Sequence, residues 1–207
     1  MPIPVPTAPP SADQALAETR AWVERAVIGL NLCPFAKAAQ TKGLVRCVVT
    51  EARDAEALRA ALLAELERLG HADRGEIETT LLVHPWVMRD FIDFNDFLDE
   101  ADAAVAVSGL EGVIQVASFH PQYRFADTDE GDISNATNRS PYPTLHLIRE
   151  ASVTAAVAAF PEAEAIYQTN IATLQRLGAD GWAALQRRCA DEAAATLGCK
   201  PPATAGD

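Results

Sequence analysis

Thr79-Thr80-Leu81-Leu82-Val83-His84-Pro85 and Val113-Ile114-Gln115-Val116-Ala117-Ser118-Phe119-His120-Pro121 decide how this chain reads. Each is an apolar, β-rich run that stops at His-Pro. Proline biases the residue before it towards extended geometry. Both runs therefore read as buried strands, each ending on a histidine held in a defined direction. Working outward, Leu44-Val45-Arg46-Cys47-Val48-Val49-Thr50 clusters β-branched residues and reads as an earlier strand. Between the three runs lie two helical patterns. One opens at Asp54 and carries Leu58, Leu62, Leu66 and Leu69 on one face, with Gly70 as its stop. The other starts near Met88 and carries Phe91, Phe94, Phe97, Leu98, Ala101 and Val105.

Strands that alternate with helices favour parallel pairing and right-handed crossovers. The expected fold is α/β: a small, mainly parallel three-stranded βαβαβ sheet flanked by helices. An N-terminal helix precedes it, capped by Ser11 with Gln14 three positions on. A C-terminal helical segment follows, with Thr144 to Phe160 read as helix and two more helices separated by Gly178 and Gly181. The alternative is a ferredoxin-like α+β fold, in which a strand hidden in the long stretch Pro121 to Pro143 completes an antiparallel sheet. Residues 1–10 read as a disordered Pro-rich N terminus, 11–197 as a single α/β domain and 198–207 as a flexible tail.

With 49% apolar residues the chain can build a substantial core, and its net charge of −12 repels phosphate backbones and anionic lipid. Nucleic acid and membranes are therefore not expected partners. A small anionic molecule is, at a local basic spot. The opening residues lack the basic and apolar regions of a secretion signal. Cys33, Cys47, Cys189 and Cys199 form neither a disulfide framework nor a zinc-knuckle spacing, so the expected home is the cytoplasm.

In a parallel sheet, His84 and His120 would sit along one edge, where α/β proteins present their chemistry. A neutral imidazole suits Zn or Fe. Read as part of a helix, His146 shares a face with Arg149 and Glu150. The expected metal ligands are thus His84, His120, His146 and Glu150, with His120 and His146 as catalytic groups. Asn138, Arg139 and Ser140 stand before that helix, where Pro143 would occupy the first helical position and free N–H groups would favour an anion. Together with Arg124 and Arg149 they are the expected substrate-binding residues. Asp90, Asp93, Asp96 and Asp99 read as a solvated helix face, and the acidic run Asp127 to Asp132 as a solvated loop.

Cys33 is the rival catalytic centre. Cys33-Pro34-Phe35-Ala36 would place its thiol at a helix N-cap, with Lys37 adding positive charge. Over these few residues the chain resembles the active-site turn of glutaredoxins and omega-class glutathione transferases. It departs from them in having a helix before the cysteine and no second cysteine two residues later.

On a larger scale, Leu30-Asn31-Leu32-Cys33-Pro34-Phe35-Ala36, Gly112 to Pro121 and Asn138 to Glu150 resemble a bacterial family called domain of unknown function 1415. The resemblance runs from about residue 15 to residue 180. It implies a bacterial source and brings no assigned activity. The leading expectation is therefore a small cytosolic enzyme that uses a divalent metal, Zn or Fe, on an anionic small molecule by hydrolase-type chemistry. The alternatives are a thiol or redox enzyme centred on Cys33, and a non-catalytic module that binds a small anion or a protein.

Overall fold

The computed structural model describes residues 9–159 and 163–198. Most of the Pro-rich N terminus and nearly all of the expected tail, including Cys199, lie outside the described residues.

Ser11 caps α1 (Ala12–Trp22) by accepting from the Gln14 N–H. The Gln14 amide turns to Glu18, so only half of the reciprocal capping box forms. The helix continues as a π turn, Val23–Ile28, and the chain reverses at Asn31 with φ 54°. A short helix, α2 (Ala36–Thr41), leads to Gly43, whose φ of 69° bends the chain into β1 (Val45–Val49). Then come α3 (Ala55–His71), β2 (Thr79–Val83), α4 (Phe91–Val107) and β3 (Ile114–Phe119). Asp54 and Asp90 cap α3 and α4 through side-chain oxygens. Gly70 does not stop α3, which runs one residue beyond it.

The expected three-stranded sheet is corrected to a four-stranded mixed sheet. Thr144–Arg149 is not the start of a helix but a strand, β4 (Thr144–Arg149). It runs antiparallel between β2 and β3, giving the order β1-β2-β4-β3, with β1 and β2 parallel. Leu145, Ile148 and Val153 mimic helical spacing. The period that prevails is two, because it places Leu145 and Leu147 on the α3–α4 core and Thr144, His146 and Ile148 on the other face. A fourth strand does complete the sheet, as the ferredoxin-like alternative required. It follows the long loop rather than hiding in it. The loop itself holds a 3₁₀ turn, Ile133–Asn138.

Helix α5 (Glu150–Ala159) follows directly, and α6 (Ala163–Gly198) is broken at Gly178, whose φ of 67° and ψ of 172° leave the helix. Two cores result. Leu58, Leu62, Leu66, Phe94, Phe97 and Ala101 pack α3 and α4 on one sheet face. Trp22, Val23, Leu81, Leu174 and Trp182 pack α1, the π turn and α6 on the other. Arg46 ties the outermost strand to α3 by a two-pronged contact with Glu65, at 2.7 and 2.9 Å. No helix among the described residues is long and apolar enough to cross a membrane.

Candidate functional site

The two His-Pro turns converge, but on the protein's own backbone. Both imidazoles reach the loop between β2 and α4. His84 is fully buried, and its Nδ1–H donates to the Val87 carbonyl at 3.1 Å. His120 is also fully buried. Its Nδ1 accepts from the Gln122 N–H at 3.0 Å, which fixes the proton on Nε2, and that Nε2–H donates to the Met88 carbonyl at 3.2 Å. Met88 sits at φ 54°, a conformation costly for a non-glycine residue, so the His120 contact steadies a strained turn. Phe94 lies between the two rings, 5.6 Å from His84 and 5.1 Å from His120. Burial holds both imidazoles down at about 4, so both are neutral at pH 7. Of the nitrogens of these two rings, His84 Nε2 alone is buried without a partner among the described residues.

His146 points the other way. Its strand partner Leu81 and its ring neighbour Phe119 both belong to the α1–α6 core. The Thr79 hydroxyl donates to the Leu147 carbonyl at 2.6 Å and accepts from His146 Nε2–H at 2.7 Å. The sheet thus separates His146 from His84 and His120. Glu150 opens α5, so it no longer shares a helical face with His146. Among the described residues, no group of three or more His, Cys, Asp or Glu side chains could hold a metal ion. The structure does not bring the four expected ligands together.

The expected anion groups are largely engaged in holding loops. Arg149 is buried and donates to the carbonyls of Leu69, Ala72 and Ile77, closing the end of α3. Arg139 donates to the Tyr123 and Glu130 carbonyls, which pins the long loop. The Ser140 hydroxyl donates to the Tyr142 carbonyl at 2.6 Å. Asn138 donates to the Ser118 carbonyl, and its own carbonyl accepts from the His120 N–H. Arg124 is exposed. Cys33 lies in the turn before α2, whose N-cap is Phe35, so the thiol is not at a helix N-cap.

Open space lies elsewhere, beside the sheet-edge strand β1. Arg20, Val23, Gln40, Gly43, Val45, Cys47 and Leu81 line a cavity of about 280 Å³. A second one, of about 240 Å³, shares Arg20, Gly43, Val45 and Cys47 and adds Arg46, Glu76 and Ile77. Together they form a groove over the strand. Arg20 is exposed and has no hydrogen-bond or ion-pair partner among the described residues. Burial pushes the Cys47 thiol up to about 11 against the pull of Arg20 and Arg46, so it is a protonated, weakly polar wall rather than a nucleophile. Sequence reasoning missed this site. Its one available signal was the alternation of Val45, Cys47 and Val49 with Arg46, which marks a strand but not its position at a sheet edge.

The chain belongs to a family described as proteins of unknown function, DUF1415, which matches residues 14–184. No curated protein and no solved structure matches it.

Proposed function

We propose that this member of the DUF1415 family is a binding module for a small anionic molecule, held in the groove beside β1. The observation that carries this reading is Arg20, a guanidinium without a partner among the described residues, at a cavity whose other walls are Val23, Gln40, Gly43, Val45, Cys47 and Leu81. Such a mix of apolar walls and a few polar groups is how small-molecule sites give both affinity and orientation. The cavity's 280 Å³ lies just below the ~300–1,000 Å³ typical of ligand sites, which favours a compact ligand. Arginine favours a planar carboxylate or a phosphate, to which it can donate two parallel hydrogen bonds. The raised Cys47 thiol supports binding without covalent chemistry. The free thiols of Cys33, Cys47 and Cys189 support a reducing, cytoplasmic setting.

The test is thermal stabilisation of the full chain by isovalerate, benzoate and inorganic phosphate. At least one should raise the melting temperature saturably, and Arg20→Gln should abolish the shift while leaving the unliganded melting temperature within a degree or two. Stabilisation unchanged in Arg20→Gln, or none by any of the three at millimolar concentration, would overturn the reading.

A further inference from the structure

We infer that the occupant of this groove is an extended, peptide-like carboxylate whose backbone adds to the free edge of β1. This rests on the anion-binding reading and names its ligand class.

The hydrogen bonding of β1 sets the direction of each backbone group. The Leu44 carbonyl accepts from Glu78, and the Thr50 N–H donates to Val83, both on the β2 side. In an extended strand, residues of one parity point their N–H and C=O the same way. Arg46 and Val48 therefore face β2, while Val45 and Cys47 turn theirs outward from the sheet. Among the described residues, order β1-β2-β4-β3 places no strand on that side. Val45 and Cys47 also line both cavities. Outward donors and acceptors, open space and a cation, each without a partner among the described residues, thus meet around Val45 and Cys47, which is what strand addition by a short peptide requires.

The opposite edge of the sheet differs. There the outward Ser118 carbonyl and His120 N–H are both taken by Asn138, which stands in for a neighbouring strand. Exposed edges are often guarded by charge, but the one charge within β1, Arg46, is turned to Glu65 and leaves the edge unguarded.

The charges choose the occupant. A second copy of β1 would bring as its one strand charge Arg46, of the same sign as Arg20. A peptide carboxylate answers Arg20 directly. Glu76 lines the second cavity and disfavours a second anion there, so a monoanion fits better than a dianion.

The experiment measures binding of N-acetyl-Val-Ala-Val to the full chain by calorimetry, with amide hydrogen exchange as a second readout. Its central N-methylated analogue, its C-terminal amide and isovalerate serve as comparisons. The free-acid peptide is expected to bind at least tenfold tighter than isovalerate. N-methylation and amidation should each cost tenfold or more, and exchange at the Val45 and Cys47 amides should slow on binding. If isovalerate binds through Arg20 but the peptide binds no tighter, or methylation costs nothing, strand addition is overturned and the anion reading stands. If neither ligand depends on Arg20, both readings fall. If the unliganded chain is a dimer with the Val45 and Cys47 amides already protected, a second copy occupies the edge and the proposal is overturned.

Discussion

The strand ends of β2 and β3 and the outer edge of β1 both carry polar groups on an apolar sheet, yet they differ in where those groups are directed. At the strand ends His84, His120 and Asn138 turn inward and complete the hydrogen bonding of nearby backbone. Arg139 and Arg149 do the same in the loops around them. At β1, Arg20, Val45 and Cys47 line open space instead. The lesson is that a histidine or arginine in a suggestive motif is available for chemistry only if the fold leaves it without a partner. A buried backbone carbonyl is a strong competitor, because leaving it unpaired costs about 1–3 kcal/mol.

Acid should break the strand-end region first. The unfolded imidazoles titrate near 6.5 and the buried ones near 4, so the unfolded state binds more protons between those values. Stability should be intact above pH 6.5 and fall as the pH drops towards 4, by up to about 3 kcal/mol for each imidazole. Urea unfolding from pH 7.5 to 4 measures this, and a flat profile would mean the rings are not held neutral. Next in size, Arg149→Met should cost about 4 kcal/mol, because the carbonyls of Leu69, Ala72 and Ile77 lose a charged donor. The midpoint of urea unfolding reads it, and a loss below about 1 kcal/mol would contradict a structural role. His120→Ala should cost about 3 kcal/mol, since Phe94 and Phe91 lose a packed ring and Met88 loses its donor. Isovalerate binding at β1 should persist in the folded variant, and its loss would erase the distinction between the two regions. The smallest stability effect belongs to Arg20→Gln, within about 0.5 kcal/mol by the same measurement.

How much of this was legible in the sequence follows from the range of the forces involved. The caps at Ser11 and Asp54, the apolar stripes of α3 and α4 and the approximate spans of β1, β2 and β3 are local, and local patterns mark them. The strand β4 was hidden because six residues satisfy both periods, and only its place between β2 and β3 selects one. The same error turned His146 and Glu150 into an apparent ligand pair. The role of Arg20 was illegible for a different reason. Its environment is built by α1, α2, β1 and β2, which are distant in the chain.

By itself, then, the sequence determined α1, α3 and α4, three of the four strands and membership of its family, since these depend on residue types at short spacing. Tertiary structure alone decided that His84 and His120 tie one loop from one sheet face, that His146 lies on the other, and that β1 is the end strand of the sheet among the described residues. Whether a polar group has a partner depends on which distant segments reach it, and strand order and sheet face set that only once the chain has folded.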